Sequence, residues 1–346
     1  MARHEKKGLQ QRLSDGESVL CAEGYLFEFE RRGYLQAGPY IPEIVLEHPE
    51  LVTQLHREFV HAGSDVVLAL MYYANCEKLR LIGREQDLEP MNRKALDMAK
   101  QVAEETGTLM AGNICNTTAY DPSNPKSKDT VREMFKKSVQ WIGGSGADFI
   151  VAESFDTLAE ANLALEAAKA YGNGLPIVVT LLPVNASTTT DNVAYVEALQ
   201  QLENSGATVV GFNCARGPDM MIQLMKQVKG ACRGPLACLP VAYRTTPDEP
   251  HLHMLTNKKT GKRALPDDLD ACLCAASDFQ AFGHACLQLG LQYAGVCCGN
   301  NSRFFRRLAQ SMGRRPAATR YASDMRQHYI FGEDASFKQY NTEKLR

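Results

Sequence analysis

The sequence has no excess of either charge, no long apolar run and no phosphate-binding glycine loop after its first strand-like segment. Its 38 Lys and Arg stand against 40 Asp and Glu, for a formal net charge of −2. A polybasic nucleic-acid module is thereby excluded. No stretch reaches the roughly 20 apolar residues that a membrane span needs. The first residues, MARHEKKGLQQ, are charged and lack the apolar centre of a secretory signal. A nucleotide-binding sheet would carry a Gly-rich turn after its first strand, but that segment reads CAEGYLFEFERRG, with neither GxGxxG nor a P-loop. No nucleotide cofactor is expected. What remains is 346 residues, 45% apolar and 23% charged, an ordinary soluble globular composition that excludes disorder and collagen-like repeats. The length allows two average domains or one large barrel.

Short runs rich in Val, Ile, Leu and Phe alternate along the chain with longer segments of helical period, the pattern of a parallel sheet covered by helices. The runs fall at about 18–27, 65–73, 109–115, 149–155, 176–182, 209–215, 237–243 and 293–298. Helices are predicted at about 45–61, 90–105, 129–144, 157–171, 191–205, 217–229, 277–290 and 301–312. Eight such units in about 310 residues favour a (β/α)8 TIM barrel over a doubly wound sheet. The expected division is a barrel over 1–315 and a C-terminal arm over 316–346, charged and aromatic, frayed or packed on a partner subunit. A polar segment at 244–277 follows the seventh run and is expected to cover the catalytic face.

Eleven cysteines are many, and the number is odd. With no secretory signal, a reducing, cytoplasmic setting is expected, with some cysteines as thiolates and the others as small buried hydrophobes. Cys214 in VVGFNCARGP and the pair Cys297 and Cys298 in YAGVCCGNN end the sixth and eighth runs. In a barrel those ends open on one face. Zinc binds Cys sulfur, and a catalytic site keeps three protein ligands and one open position. Three thiolates leave the ion with a formal −1, which suits activation of a bound thiol and alkyl transfer to its sulfur. The alternative is chance and burial. The flanking glycines Gly211, Gly217, Gly295 and Gly299 would let backbone approach a bound atom. The other eight, Cys21, Cys76, Cys115, Cys232, Cys238, Cys272, Cys274 and Cys286, read as core or surface thiols.

GFNCARGP followed by GVCCG resembles the homocysteine S-methyltransferase family, whose members use a (β/α)8 barrel and a three-cysteine zinc site. RRGYLQAGPYIPEIVLEHPELVTQLHREFVHAGSD, MYYANCEKL and FIVAESF resemble its betaine–homocysteine methyltransferases, over the barrel to about residue 312. The resemblance implies Cys214, Cys297 and Cys298 as Zn2+ ligands, Glu153 as a contact for the homocysteine amine and Tyr73 as an aromatic of the methyl-donor pocket. It implies methyl transfer from betaine or a related onium donor to homocysteine.

Departures from the family pattern concentrate in the amino-acid clamp. Where members read GDGG, this chain has Cys21-Ala22-Glu23-Gly24. The carboxylate moves from the Ala22 position to Glu23, which a strand would turn to the other face but which at a strand-to-loop exit still reaches an ammonium, so Glu23 is a candidate substrate contact beside Glu153. Gly24 stays in the expected substrate loop. Ala69 replaces a Thr that contacts homocysteine, Tyr40 replaces the donor-pocket Trp, and Ser154 stands where betaine enzymes often have Tyr. Tyr25, Tyr40, Tyr72 and Tyr73 are candidates for an aromatic cage. Neighbours on a strand face opposite ways, so Tyr73 is assigned to the site and Tyr72 to packing or the rim. Asn213 is read either as a bond to a substrate carboxylate or as a turn cap. Arg216 and Arg244 are read as solvated rim, and His251 with His253 as polar loop. The rival readings are another donor (S-methylmethionine, a dimethylsulfonio acid), another thiol acceptor, or a non-catalytic zinc-containing barrel. Small-molecule substrates, no nucleic acid, no membrane and a homo-oligomer, a dimer more than a tetramer, complete the expectation.

Overall fold

In a computed structural model, residues 6–333 and 338–344 are described. Eight parallel strands close into a barrel in sequence order. They are β1 (Val19–Ala22), β2 (Val66–Leu68), β3 (Leu109–Cys115), β4 (Phe149–Phe155), β5 (Ile177–Leu181), β6 (Val209–Asn213), β7 (Leu236–Leu239) and β8 (Tyr293–Val296), with β8 paired back to β1. Every strand residue is buried. Parallel strands under a helical layer have no solvent face, which is why they read as continuous apolar runs and not as alternation.

The outer layer is the eight helices Pro49–Ala62, Leu88–Thr106, Pro125–Ser145, Leu158–Tyr171, Tyr195–Asn204, Pro218–Val228, Ala276–Leu289 and Ser302–Ser311. Each turns an apolar stripe inward. In Leu88–Thr106 the stripe is Met91, Ala95, Ala99 and Val102, at spacings of three and four. Thr157 and Asn301 accept the N–H groups of Glu160 and Phe304 and so start their helices. At the opposite end of the barrel from the site, Asp65 receives Arg314 at 3.1 Å and Arg12 at 3.4 Å, joining the two ends of the barrel sequence.

Three runs were read too long. The run at 18–27 is strand only to Ala22, and a helix, Tyr25–Arg31, follows. The run at 65–73 is strand only to Leu68, and that at 237–243 only to Leu239. The chain leaves the barrel there, but its apolar residues continue because they wall and cover the cavity above it. The segment at 244–277 folds over that face with two 3-10 turns, Leu252–Met254 and Leu269–Cys272. Leu252, Leu255, Ala264 and Leu269 form a second buried cluster around Cys214 and Cys297.

The first part of the arm belongs to the barrel's packing. Ala317–Tyr321 is a 3-10 turn against the last barrel helix, where Arg306 donates to the Ala318 carbonyl at 3.1 Å and Gln310 to Thr319 Oγ1 at 3.1 Å. Met325, Tyr329 and Phe331, beyond it, are exposed.

Candidate active site: three thiols and two carboxylates

Cys214 is the first residue after β6, and Cys297 and Cys298 are the first two after β8. The Sγ of Cys298 lies 3.5 Å from that of Cys214 and 3.9 Å from that of Cys297, and all three sulfurs fall within 4.8 Å of one another. Tetrahedral zinc with Zn–S near 2.3 Å requires sulfurs about 3.8 Å apart. The triad therefore fits the ion, with a fourth position to spare. Hydrogen bonds from Cys297 and Cys298 hold the Cys214 thiol well below its ordinary range, and the same hydrogen bonding to Cys214, with burial, pushes the other two up. A cation bound among the three sulfurs favours all three as thiolates.

The turn that presents Cys214 has two consecutive left-handed residues, Cys214 (φ 61°) and Ala215 (φ 56°). Such conformations cost non-glycine residues about 1–3 kcal/mol each and persist where surrounding bonds enforce them. Here Leu252 N–H donates to the Ala215 carbonyl at 2.8 Å, and Arg216 is the second restraint. Arg216 is not on a solvated rim. It is buried, and its guanidinium donates to the carbonyls of Pro183, Asn185 and Ala186, binding the β6 turn to the loop after β5. The four flanking glycines serve backbone packing: a Cβ on Gly295 would overlap the Cys21 carbonyl, and one on Gly211 the Ala237 carbonyl.

Glu153 lies in β4 where the register to β5 shifts between Ala152 and Phe155, and Ser154 beside it is left-handed (φ 63°). A bulge of this kind re-aims a side chain. Its carboxylate accepts from Asn113 Nδ2 at 2.6 Å and Asn213 Nδ2 at 2.6 Å. Glu23 follows the last residue of β1, so strand alternation does not bind it, and its side chain reaches the same place, 3.3 Å from Asn213 Nδ2. The Glu23 Oε1 atom is buried and has no partner. Glu23, Glu153 and Cys297 each place a ligand atom within 4.8 Å of the others. Burial pushes the Glu153 carboxyl up to about 7; burial, and then the Glu153 charge, pushes Glu23 up strongly. Two buried carboxylates without a cation are an expensive arrangement that an ammonium group would relieve.

Asn213 touches protein and lies behind the cavity wall, contrary to a substrate-binding assignment. Its Oδ1 accepts from Ser154 N at 3.0 Å and Thr180 Oγ1 at 2.9 Å, while Nδ2 faces the carboxylates. The Ser154 N–H can only donate, which fixes the orientation of the amide. Asn213 aligns Glu23 and Glu153.

Above the sulfurs lies a cavity of about 600 Å3 lined by Glu23, Gly24, Tyr40, Tyr73, Glu153 and the three cysteines, among others. Gly24 is left-handed (φ 83°), and a Cβ there would overlap the Cys297 carbonyl. Tyr40 (φ 51°) stacks on Phe27 with ring centres 5.1 Å apart and planes 5° from parallel. Tyr72 and Tyr73 both face the cavity, their ring centres 4.6 Å apart, contrary to the expected alternation. The strand has ended at Leu68, Tyr73 is left-handed (φ 61°), and its N–H donates to Cys115 Sγ at 3.3 Å. Tyr25 also lines the cavity, from the base of its helix. Burial pushes the Tyr40 phenol up to about 12.

Ala69 and Ser154 line the cavity, and Arg244 is exposed beside Asp278. His253 borders the cavity, but among the described residues the clusters able to hold a metal are the cysteine triad and Glu23 with Glu153 and Cys297, neither of which includes a histidine. Phe27, Asn113, Asn116 and Glu160 went unforeseen. Asn113 had a signal: it is a lone amide in the apolar run LMAGNIC, and a polar side chain inside a barrel strand needs a partner.

A closed parallel barrel with thiols and carboxylates converging at the C-terminal ends of its strands is a (β/α)8 barrel with its candidate site where such barrels carry theirs. The family model for homocysteine S-methyltransferase matches residues 24–312, and the chain belongs to that family and is a methyltransferase. It is 33% identical over 319 residues to betaine–homocysteine S-methyltransferase 1 of Bos taurus, covering 89% of this chain and 75% of the relative. The Xenopus laevis protein of the same name is 34% identical, with 89% and 76% covered. In fold, the chain is similar to the metallated form of the Escherichia coli homocysteine methyltransferase MmuM, at TM-score 0.65 and 19% identity, over 87% of this chain and 98% of that one.

Proposed function

We propose that this enzyme transfers a methyl group from betaine or a related onium donor to the sulfur of homocysteine, giving methionine, with zinc held by Cys214, Cys297 and Cys298. The observation that carries the reading is the buried carboxylate pair beside the thiol triad: an aminothiol offers an ammonium to one and a sulfur to the other. Relatives named for betaine and homocysteine support the same donor and acceptor.

Zinc at the three cysteines would lower the pKa of the acceptor thiol and keep its sulfur nucleophilic. Glu23 and Glu153, aligned by Asn213 and Asn113, hold the ammonium and so fix the acceptor's chain. Gly24 leaves room where a side chain would strike the cysteine loop. Tyr40 and Tyr73 offer aromatic faces to the cationic donor and place its methyl in line with sulfur. The new S–CH3 bond forms as the methyl–nitrogen or methyl–sulfonium bond breaks, and the electron pair leaves on the departing heteroatom. That group departs neutral at the reacting centre, so no acid is required, and most of the rate gain is positioning and thiolate formation.

The exposed Tyr321, Tyr329 and Phe331 of the arm support a homo-oligomer, a dimer foremost. Eleven free cysteines support a reducing, cytoplasmic setting, and no helix among the described residues is long and apolar enough to cross a membrane. The test is methionine formation by the purified enzyme from homocysteine with a panel of onium donors, with demethylated donor measured in parallel. Equal amounts of both products are expected; no transfer from any donor would contradict the reading.

A further inference from the structure

Betaine and homocysteine each bring a carboxylate, and none of the residues assigned above meets one. The charged groups lining the cavity are mostly acidic: Glu23, Glu153, Asp156, Glu160 and Asp191, with no Lys or Arg among the described residues that line it. One basic side chain remains, His253. The lid fixes its position. Leu252 and Leu255, each 1% exposed, are buried in one cluster with Cys214 and Cys297, and the exposed His253 is carried between them on the 3-10 turn Leu252–Met254. Leu252 N–H donates to the Ala215 carbonyl at 2.8 Å, which seats this turn on the loop that presents Cys214.

That one hydrogen bond gathers three basic side chains, for Arg216 follows Ala215 in the chain, and His251 and His253 flank Leu252. Among the described residues no protein group is hydrogen-bonded to the His253 ring, which meets the His251 ring with centres 5.6 Å apart. Nδ1 of His251 is buried without a partner. Arg216 is buried, and its guanidinium donates to the carbonyls of Pro183, Asn185 and Ala186. No carboxylate among the described residues pairs with it, and burial pushes its pKa down. A buried cation without a counter-ion raises the potential around it and favours an anion close by.

We propose that His253 binds the carboxylate of the methyl donor, with the Arg216 charge behind it, and so makes the enzyme prefer onium donors with a carboxylate tail over those of the same size with an uncharged tail. The proposal rests on the methyl-transfer reading and narrows its donor class to that of betaine. The carboxylate is the donor's because the acceptor is fixed at the cavity floor by its sulfur and its ammonium, whereas the donor enters between that sulfur and the lid. With its onium centre against Tyr40 and Tyr73, the donor turns its tail to the imidazole. An imidazole N–H donates to a carboxylate in either protonation state of the ring, and the carboxylate favours the charged one. The reaction is unchanged: methyl passes from the onium centre to thiolate sulfur, the electron pair stays on the departing nitrogen or sulfur, and the product leaves with its carboxylate intact.

Two dimethylsulfonium donors of the same size test it, one with an acetate tail and one with an acetamide tail. Each is offered with homocysteine to the zinc-loaded enzyme, and its kcat/KM is divided by its uncatalysed rate with a free thiol. The acetate donor is expected to exceed the acetamide donor by about tenfold or more, the worth of one charge-assisted hydrogen bond. In His253→Gln the ratio is expected to fall severalfold, through a higher KM for the acetate donor, and in His253→Lys, which restores a cation, to recover. His253 is exposed, so both variants are expected to fold. A wild-type ratio at or below one, or a ratio unmoved in His253→Gln, overturns the proposal and leaves methyl transfer standing. An unmoved ratio with a raised KM for homocysteine also overturns it, and assigns the imidazole to the acceptor's carboxylate. No transfer from either donor, nor from betaine, overturns the function itself.

Discussion

Glu23, just past the end of β1, and Glu153 of β4 stand on different parts of the barrel mouth, yet both carboxylates meet the same amide, Asn213 Nδ2, at 3.3 and 2.6 Å. Each is buried, and Glu23 Oε1 has no partner. The pair stands ready for a cation that the protein does not supply. Glu153→Gln is expected to raise KM for homocysteine by about tenfold to a hundredfold, the worth of a charge-assisted hydrogen bond. A thiol of the same length without the amine is expected to lose little. Equal losses for both thiols would show that Glu153 shapes the site without holding the ammonium.

The cysteine triad makes a sharper demand. Cys298→Ser replaces a thiol whose sulfur lies 3.5 and 3.9 Å from those of its neighbours with a poor zinc ligand. Zinc content is expected to fall well below one per chain, and turnover with it. Stoichiometric zinc with full turnover in this variant would remove Cys298 from the ligand set.

Gly24 couples the donor-side helix to the cysteine loop. It is left-handed, and a Cβ would overlap the Cys297 carbonyl. Gly24→Ala is expected to destabilise the fold by more than about 2 kcal/mol and to weaken zinc retention, because the loop that must move carries two of the three proposed ligands. Denaturant unfolding and zinc content read both. An unchanged midpoint would mean that the loop gives way freely.

His56 predicts a pH dependence away from the chemistry. It is buried, with Nδ1 3.3 Å from the Tyr25 hydroxyl and Nε2 without a partner, and burial pushes its pKa down to about 3. The folded protein then binds this proton less readily than the unfolded chain, whose histidine titrates near 6.5. The contribution to stability is full above pH 6.5 and is lost as the pH falls toward 3, by up to about 1.4 kcal/mol per unit. Between pH 6 and 5 the urea midpoint of the wild type is expected to fall more steeply than that of His56→Gln. Parallel slopes would show that His56 titrates normally when folded.

The barrel was legible because burial on both faces makes each strand a continuous apolar run, and eight of these alternate with helical segments along the chain. The three cysteines were legible because they follow strand ends, which topology brings to one rim. The walls were less so. Tyr72 and Tyr73 share the cavity because the strand stops at Leu68 and a left-handed residue follows, and periodicity cannot show that. Phe27 reaches Tyr40 from a helix that began where a strand was expected to continue. Asn213 and Arg216 looked like site and rim, but both are spent on protein groups, Asn213 on the carboxylates and Arg216 on the loop after β5. Their partners lie 30 or more residues away and become neighbours only through barrel closure.

The central claim, that this site receives the sulfur of an aminothiol on a three-cysteine zinc centre, is tested most directly by X-ray absorption at the zinc edge with and without homocysteine. Three sulfurs at about 2.3 Å are expected in the enzyme alone, rising to four when homocysteine is added. A shell that already holds four protein ligands, or one that homocysteine leaves unchanged, would contradict it.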